Sequence, residues 1–332
     1  MRQPEFISPS ALKLFEHDKR AYYSKYLAEN RPPREPQTNA MSVGSAFDAF
    51  VKSYLYEKVH GNFGPNNEYE RRTLFEAQVE EHVRDFAWDA GMHVFSKYSR
   101  SGALGDLMLE LDKSIQAPRF EFDVRGIVEC EINNVPMLGK PDIFFVSNEG
   151  ARVIFDWKVN GYCSKHPYSP VRGYIKVRDT WDVRLRKSSR RNGLHHPEAS
   201  IGTYKGFRYN ASGYMEEFND AWADQLIIYA WLLGETPGSE DLLVGIDQIV
   251  AIDQLEENGP FLRVANHRCK VSHDWQMKLL SRLDYMWTCI TSGHFFDHVS
   301  KEESDKLCQE LEDYGKMMSN TDDPFVSFLR SL

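Results

Sequence analysis

Between residues 120 and 158 the chain breaks into short runs rich in Val, Ile and Phe, punctuated by Asn133-Asn134 and by Asn148-Glu149-Gly150. Asn and Gly tolerate the backbone angles that tight hairpin turns demand, so this stretch predicts a three-stranded meander. Strand alternation then sorts the last run: Val153, Phe155 and Trp157 point to one face, and Ile154, Asp156 and Lys158 to the other. One face is expected to be core and the other to carry chemistry. Antiparallel pairing across the preceding turn sets Asp142, at the end of Gly139-Lys140-Pro141-Asp142, beside Asp156. Two carboxylates and an ammonium group thus converge on one cleft.

The remainder of the chain reads mostly as helix. Ser8 is a good N-cap and Pro9 suits the first helical position, predicting a helix that runs through Leu12, Phe15, Tyr22, Tyr23 and Tyr26 and stops at the Pro-rich segment 31–36. Val43, Phe47, Phe50 and Tyr54 recur at helical spacing over 42–59, with Asp48 on the flank of the stripe. Segments 69–90 and 104–114 also read as helices. After a long region poor in apolar runs, 160–215, come a strongly apolar helix at 221–233, strands at 243–252 and 261–269, a helix at 273–291 and an acidic, partly helical tail after 301. The expectation is a single elaborated domain over 1–332, with a mainly helical part at 1–115, a sheet core at 116–270 and C-terminal helices at 271–332.

Composition narrows the function classes. Lys+Arg 40 against Asp+Glu 49 gives a net charge of −9, so no global positive field holds a nucleic acid, and any such binding must come from a local patch. The five cysteines (Cys130, Cys163, Cys269, Cys289 and Cys308) are scattered and form no C-x-x-C pair, which predicts free thiols rather than a zinc ribbon or disulfide framework. The first fifteen residues lack the apolar core of a signal peptide and no run reaches membrane-spanning length, so a cytoplasmic protein without a membrane partner is expected.

Two carboxylates held together repel each other when both are ionised, and a divalent cation with oxygen ligands, Mg²⁺ or Mn²⁺, is the natural remedy. Such an ion lowers the pKa of a bound water and polarises a phosphodiester, while Lys158 would orient the attacking water. A surface hairpin in which Asp142 caps a turn and Asp156 and Lys158 form a solvated pair satisfies the same short pattern.

The G-x-P-D of Gly139 to Asp142, the D-x-K of Asp156 to Lys158, the Q-x-x-x-Y of Gln225 to Tyr229 and the opening segment Ile7-Ser8-Pro9-Ser10-Ala11-Leu12 together resemble the RecB-like exonuclease branch of the PD-(D/E)XK nuclease superfamily. The resemblance implies an α/β, restriction-endonuclease-like core, a mixed sheet in the order αβββαβ flanked by helices, with N- and C-terminal helical elaborations. It implies Asp142, Asp156, Lys158, Gln225 and Tyr229 as catalytic residues and Asp48, Asp142 and Asp156 as metal ligands. Gln225 and Tyr229, four apart on a helix, share a face. Asp48, in Gly44-Ser45-Ala46-Phe47-Asp48, stands where the family often carries a metal-binding His; it is either an oxygen ligand or an ordinary helix Asp. The early segment Glu16-His17-Asp18-Lys19-Arg20 lacks the cysteine of iron-sulfur relatives, so no iron-sulfur cluster is expected.

Arg172, Lys176, Arg178, Arg184, Arg186, Lys187, Arg190 and Arg191 crowd one stretch, with Tyr174 and Trp181 among them. Cations grip phosphates and aromatic rings stack on unpaired bases, so this stretch, together with Tyr229, is the expected DNA contact. His166, His195 and His196 complete no ligand set and read as loop histidines, and Trp222, Trp231, Trp275 and Trp287 as core. The resulting expectation is a Mg²⁺- or Mn²⁺-dependent deoxyribonuclease, an exonuclease by analogy, acting in recombination, repair or viral DNA processing. Any helicase or recombination partner would be a separate protein. Two readings compete: a sequence- or structure-specific endonuclease with the same site, and a nucleic-acid-binding protein that has lost catalysis.

Overall fold

A computed structural model describes residues 1–148, 150–163, 209–214, 220–239, 243–251 and 262–319. Its centre is a mixed sheet flanked by helices, so the chain is an α/β protein. Among the described residues the sheet has six strands, β1 (Arg119–Phe120), β4 (Ile143–Val146), β5 (Arg152–Asn160), β6 (Tyr209–Tyr214), β7 (Leu243–Ala251) and β8 (Leu262–Lys270), in the spatial order β1-β4-β5-β7-β8-β6. The β5–β7 and β6–β8 pairs are parallel, and the other three are antiparallel. Strands β2 (Val124–Glu129) and β3 (Asn134–Gly139) form a separate antiparallel ribbon.

The expected three-stranded meander is therefore divided. Lys140, Pro141 and Asp142 belong to no strand, and Pro141 has no N–H to continue a ladder, so the chain leaves the ribbon there and enters the main sheet at Ile143. The expected alternation on β5 holds, but both faces are core. Val153, Phe155 and Trp157 join one apolar cluster and Ile154 the opposite one, leaving chemistry only to the strand's end.

Helix α1 (Pro9–His17) begins at Ser8 with Pro9 in its first turn and buries Ala11, Leu12 and Phe15. It ends sooner than expected, because the Asp18 carboxylate accepts a hydrogen bond from Ala21 N and caps a new short helix, α2 (Lys19–Tyr22), which a π turn over Tyr23–Leu27 extends. The long helix α3 (Asn39–His60) is capped by Thr38 and closed by Gly61 in the left-handed region. Its Phe47 and Phe50 are wholly buried, each contributing roughly 1.5–3 kcal/mol by removal from water.

The segment expected as one helix over 69–90 divides into α4 (Arg71–Gln78) and α5 (Arg84–Arg100), followed by α6 (Ala103–Asp112). Gly91 is where α5 meets α3: a Cβ there would lie 2.4 Å from that of Ala46. That close crossing fixes the turn of α3 that carries Asp48.

Helix α7 (Asp220–Leu232) packs on β2, β3 and β5 and buries Ala223, Leu226, Ile227, Ile228 and Ala230 against the opposite sheet face. Helix α8 (His273–Thr291) packs on the same side, tied through Arg282 to Asp224 of α7 at 2.8 Å and to Glu16 of α1 at 2.5 Å. The acidic tail forms a full helix, α9 (Lys301–Ser319), whose Glu312 accepts hydrogen bonds from Tyr23 Oη and from the Glu29 and Asn30 amides. Among the described residues no helix is long and apolar enough to cross a membrane. Cys130, Cys163, Cys289 and Cys308 are free thiols.

Candidate active site

The β4–β5 register pairs Ile143 with Phe155, so the next residues outward are Asp142 and Asp156, side by side as the alternation predicted. They line a cavity of about 690 Å³ together with Asp48, Lys52, Glu121, Lys140 and Lys158. Asp142 is pinned from two sides: its Oδ2 accepts from the Trp157 amide at 3.0 Å, and its Oδ1 from Lys52 Nζ at 2.8 Å. Asp156 is 3% exposed. Lys158 Nζ forms an ion pair with the buried Oδ2 of Asp156.

Gln225 and Tyr229 arrive from α7. Lys158 Nζ donates to Gln225 Oε1 at 3.1 Å, and Gln225 Nε2 donates to Tyr229 Oη at 2.9 Å, forming a relay that orients the lysine. Tyr229 is itself buried and touches the site through Gln225. Its ring lies against Gly139, where a Cβ would come within 2.6 Å of Tyr229 Cδ1, so the glycine of the G-x-P-D segment makes room for the tyrosine of the helix motif. Trp231 and Trp287 are core residues, and Trp222 and Trp275 pack against the same core partly buried; Trp222 also lines the cavity, with Lys158 Nζ 6.0 Å from its ring centre.

Two participants, Lys52 and Glu121, were not anticipated. Lys52, one helical turn after Asp48, is 2% exposed and contacts three carboxylates: Asp48 at 2.6 Å, Asp142 at 2.8 Å and Glu121 at 3.3 Å. An Asp-Lys pair four apart on a helix is ordinarily solvated, and only the docking of α3 on the sheet buries this one. Glu121 adopts a φ of +39°, a left-handed conformation that costs a residue with a side chain of order 1–3 kcal/mol. From there it bonds Lys52, Lys140 at 2.5 Å and the Gln78 amide at 3.0 Å.

The carboxylates respond unequally. Burial works against the charge of Asp142, but the Lys52 ammonium and its hydrogen bonds hold it down to about 2. Burial, joined by the Asp142 charge, drives Asp156 well above the ordinary carboxylate range against the pull of Lys158. Burial also raises Asp48, to about 7, with Asp142 and Glu121 adding to the rise and Lys52 opposing it. Burial, which penalises phenolate, and the Asp156 charge push the Tyr229 hydroxyl up, keeping it a donor.

Behind Trp157, its indole N–H donates to Tyr98 Oη at 3.3 Å and Tyr98 Oη donates to the buried Asp247 at 2.5 Å, bracing the strand end. Asp48, Asp142, Asp156, Lys158 and Gln225 are thus gathered at one place, with Tyr229 behind Gln225. The expected DNA-gripping residues Arg172, Lys176, Arg178, Arg184, Arg186, Lys187, Arg190 and Arg191 lie outside the described residues, as do His166, His195 and His196.

No family model matches the chain and no curated protein is similar to it. Among solved structures, that of SSO0001 aligns over 85% of this chain and 92% of its own, at 11% identity and a TM-score of 0.25. A score of that size does not establish a shared fold.

Proposed function

We propose that the chain is a divalent-metal-dependent nuclease of the PD-(D/E)XK type that hydrolyses DNA phosphodiesters, with a restriction-endonuclease-like core formed by the sheet and α3 and α7. The observation that carries this reading is the Asp142–Asp156 pair with Lys158 beside it, lining a cavity of about 690 Å³. Charges in the cavity fit a cation. Formally, four carboxylates (Asp48, Glu121, Asp142 and Asp156) face three ammonium groups (Lys52, Lys140 and Lys158), which leaves one negative charge in excess.

Among the described residues no three ligand side chains form a ready-made metal shell. Mg²⁺ does not require one, since it commonly takes one or two carboxylates and fills its shell with water and substrate oxygens. Asp142 and Asp156 are the residues that would hold it, and when bound it supplies Lewis acidity and a more acidic water.

The chain's own groups do the rest. Asp142, locked by the Trp157 amide and by Lys52, keeps its charge and its orientation. Lys158, oriented by Gln225, offers a proton donor to the attacking water or to the phosphoryl oxygen that gains charge. Tyr229 holds Gln225 from behind, and Trp222 lines the same cavity beside Lys158. The basic stretch from Arg172 to Arg191 supplies the phosphate contacts that the acidic body lacks. Recombination, repair or viral DNA processing are the settings for such an activity, with any helicase a separate chain.

The test is digestion of end-labelled single- and double-stranded linear DNA and of a closed circle, with Mg²⁺, Mn²⁺ or chelator, comparing wild type, Asp156→Ala and Lys158→Ala. Metal-dependent loss of linear DNA, an intact circle and at least a ~10²-fold lower rate in both variants are expected. A cut circle would replace exonuclease by endonuclease. No cleavage of any substrate would end the nuclease reading.

A further inference from the structure

Lys52 stands where a second cation would be wanted. Its ammonium has three N–H donors, and three carboxylates, Asp48, Asp142 and Glu121, surround it at 2.6, 2.8 and 3.3 Å. It is 2% exposed, so it is neither a phosphate contact nor a surface charge. The partners come from three separate elements: Asp48 from α3, Glu121 from the turn after β1, and Asp142 from the entry to β4. Glu121 takes a left-handed backbone to reach it, and Lys140 and Gln78 hold the same carboxylate from other sides. A buried ammonium bound by three carboxylates is very hard to displace, because expelling it leaves several buried charges unpaired.

Resting on the metal-dependent reading above, we infer that Lys52 is a built-in cation that fills half of the acidic cavity, so that the site takes one divalent ion, held by Asp142 and Asp156. Asp48 then serves as a partner of Lys52 and not as a metal ligand. Charge balance agrees. One divalent ion turns the single excess negative charge of the cavity into a single positive one, which one phosphodiester neutralises, whereas two ions would leave three positive charges. Lys52 also fixes Asp142: Oδ1 is committed to Lys52, while Oδ2 accepts a single hydrogen bond from the Trp157 amide and keeps a second lone pair for an ion.

Mn²⁺ binding to the full chain, followed by calorimetry and by the electron-spin signal of free ion, tests this without substrate. Wild type is expected to bind one Mn²⁺, and Asp48→Asn to bind one with affinity within about threefold, whereas Asp156→Asn loses more than about tenfold. Lys52→Met, if it folds by circular dichroism, is expected to take up a second Mn²⁺; if it does not fold, the Asp48→Asn arm decides alone. Two ions in wild type, loss of the ion in Asp48→Asn, or a folded Lys52→Met protein with wild-type stoichiometry would each overturn the inference. A chain that binds one Mn²⁺ as described yet cuts nothing would refute the nuclease reading and leave the ion count standing; a chain that binds none would end both.

Discussion

Gly139→Ala is the substitution whose effect the geometry states most directly. The added methyl would lie 2.6 Å from Tyr229 Cδ1, 3.0 Å from Cε1 and 3.1 Å from Leu232 Cδ1. Carbon atoms rest at about 3.5–4.0 Å, so the tyrosine ring must withdraw by about 1 Å. Overpacking of this kind costs about 1–3 kcal/mol. Withdrawal also lengthens the 2.9 Å bond from Gln225 to Tyr229 Oη, another contribution of about 1 kcal/mol. Thermal unfolding should show a melting temperature lower by about 3–6 °C. Because Gln225 orients Lys158, metal-dependent cleavage should fall on the order of 10²-fold, the usual consequence of displacing a catalytic group by about 1 Å. Adding Tyr229→Ala removes the obstacle, so the double variant should be more stable than the sum of the two singles predicts, by about 1 kcal/mol or more. A Gly139→Ala protein that melts and cuts like wild type would falsify the argument, as would strict additivity in the double variant.

Other consequences can be measured alongside. Asp156→Asn replaces a buried carboxylate that resists ionisation, so in chelator its melting temperature should rise, by about 2–6 °C, while cleavage is lost; a fall in chelator would contradict the electrostatics. Asp48 has a folded value of about 7 against an ordinary 3.8, so the folded chain holds an extra proton between those pH values. Metal-free stability should therefore decline by on the order of 4 kcal/mol as pH rises through that window and level off above it, and Asp48→Asn should flatten the slope in urea titrations. Asp142 has the opposite sign: held down to about 2, it contributes stability above the ordinary carboxylate value, and this is lost in stronger acid. Gly315→Ala would put a methyl 1.9 Å from the Asn30 carbonyl oxygen, so α9 must lift from the segment its Glu312 binds; a loss of about 2 kcal/mol or more and faster proteolysis of the C-terminal helix are expected, with unchanged susceptibility counting against that docking.

Much of the site could be read before the fold because its parts follow strict periods. Alternation on β5 places Asp156 and Lys158 on one face, and the turn before it brings Asp142 alongside. A four-residue spacing joins Gln225 to Tyr229. What escaped depends on tertiary docking. Lys52 looks like a solvated partner of Asp48 until α3 is laid against the sheet, and nothing local to Glu121 announces a left-handed backbone. The i,i+4 Asp48–Lys52 spacing was the one available hint. The helix boundaries at Asp18 and at 79–83 were missed for a related reason: the aromatic spacing runs on through both, while a side-chain cap or a brief change of backbone ends the helix. Strand β6 was also missed, because Tyr209–Tyr214 lies at a sheet edge and carries little of the apolar alternation that marks a strand.

The two apolar clusters on opposite faces of the sheet give the site a dependence on assembly. Asp48 and Lys52 belong to the layer on one face, Gln225 and Tyr229 to the layer on the other, and the sheet strands β4, β5 and β7 send side chains into both. The bonds that close the site span long stretches of chain, 90 residues from Lys52 to Asp142 and 67 from Lys158 to Gln225. Contacts of that separation form late in folding, after the loops between them have closed. A nascent or half-opened chain therefore holds the carboxylates without their neighbours. On the proposed nuclease reading, competence to cut would report on the finished fold.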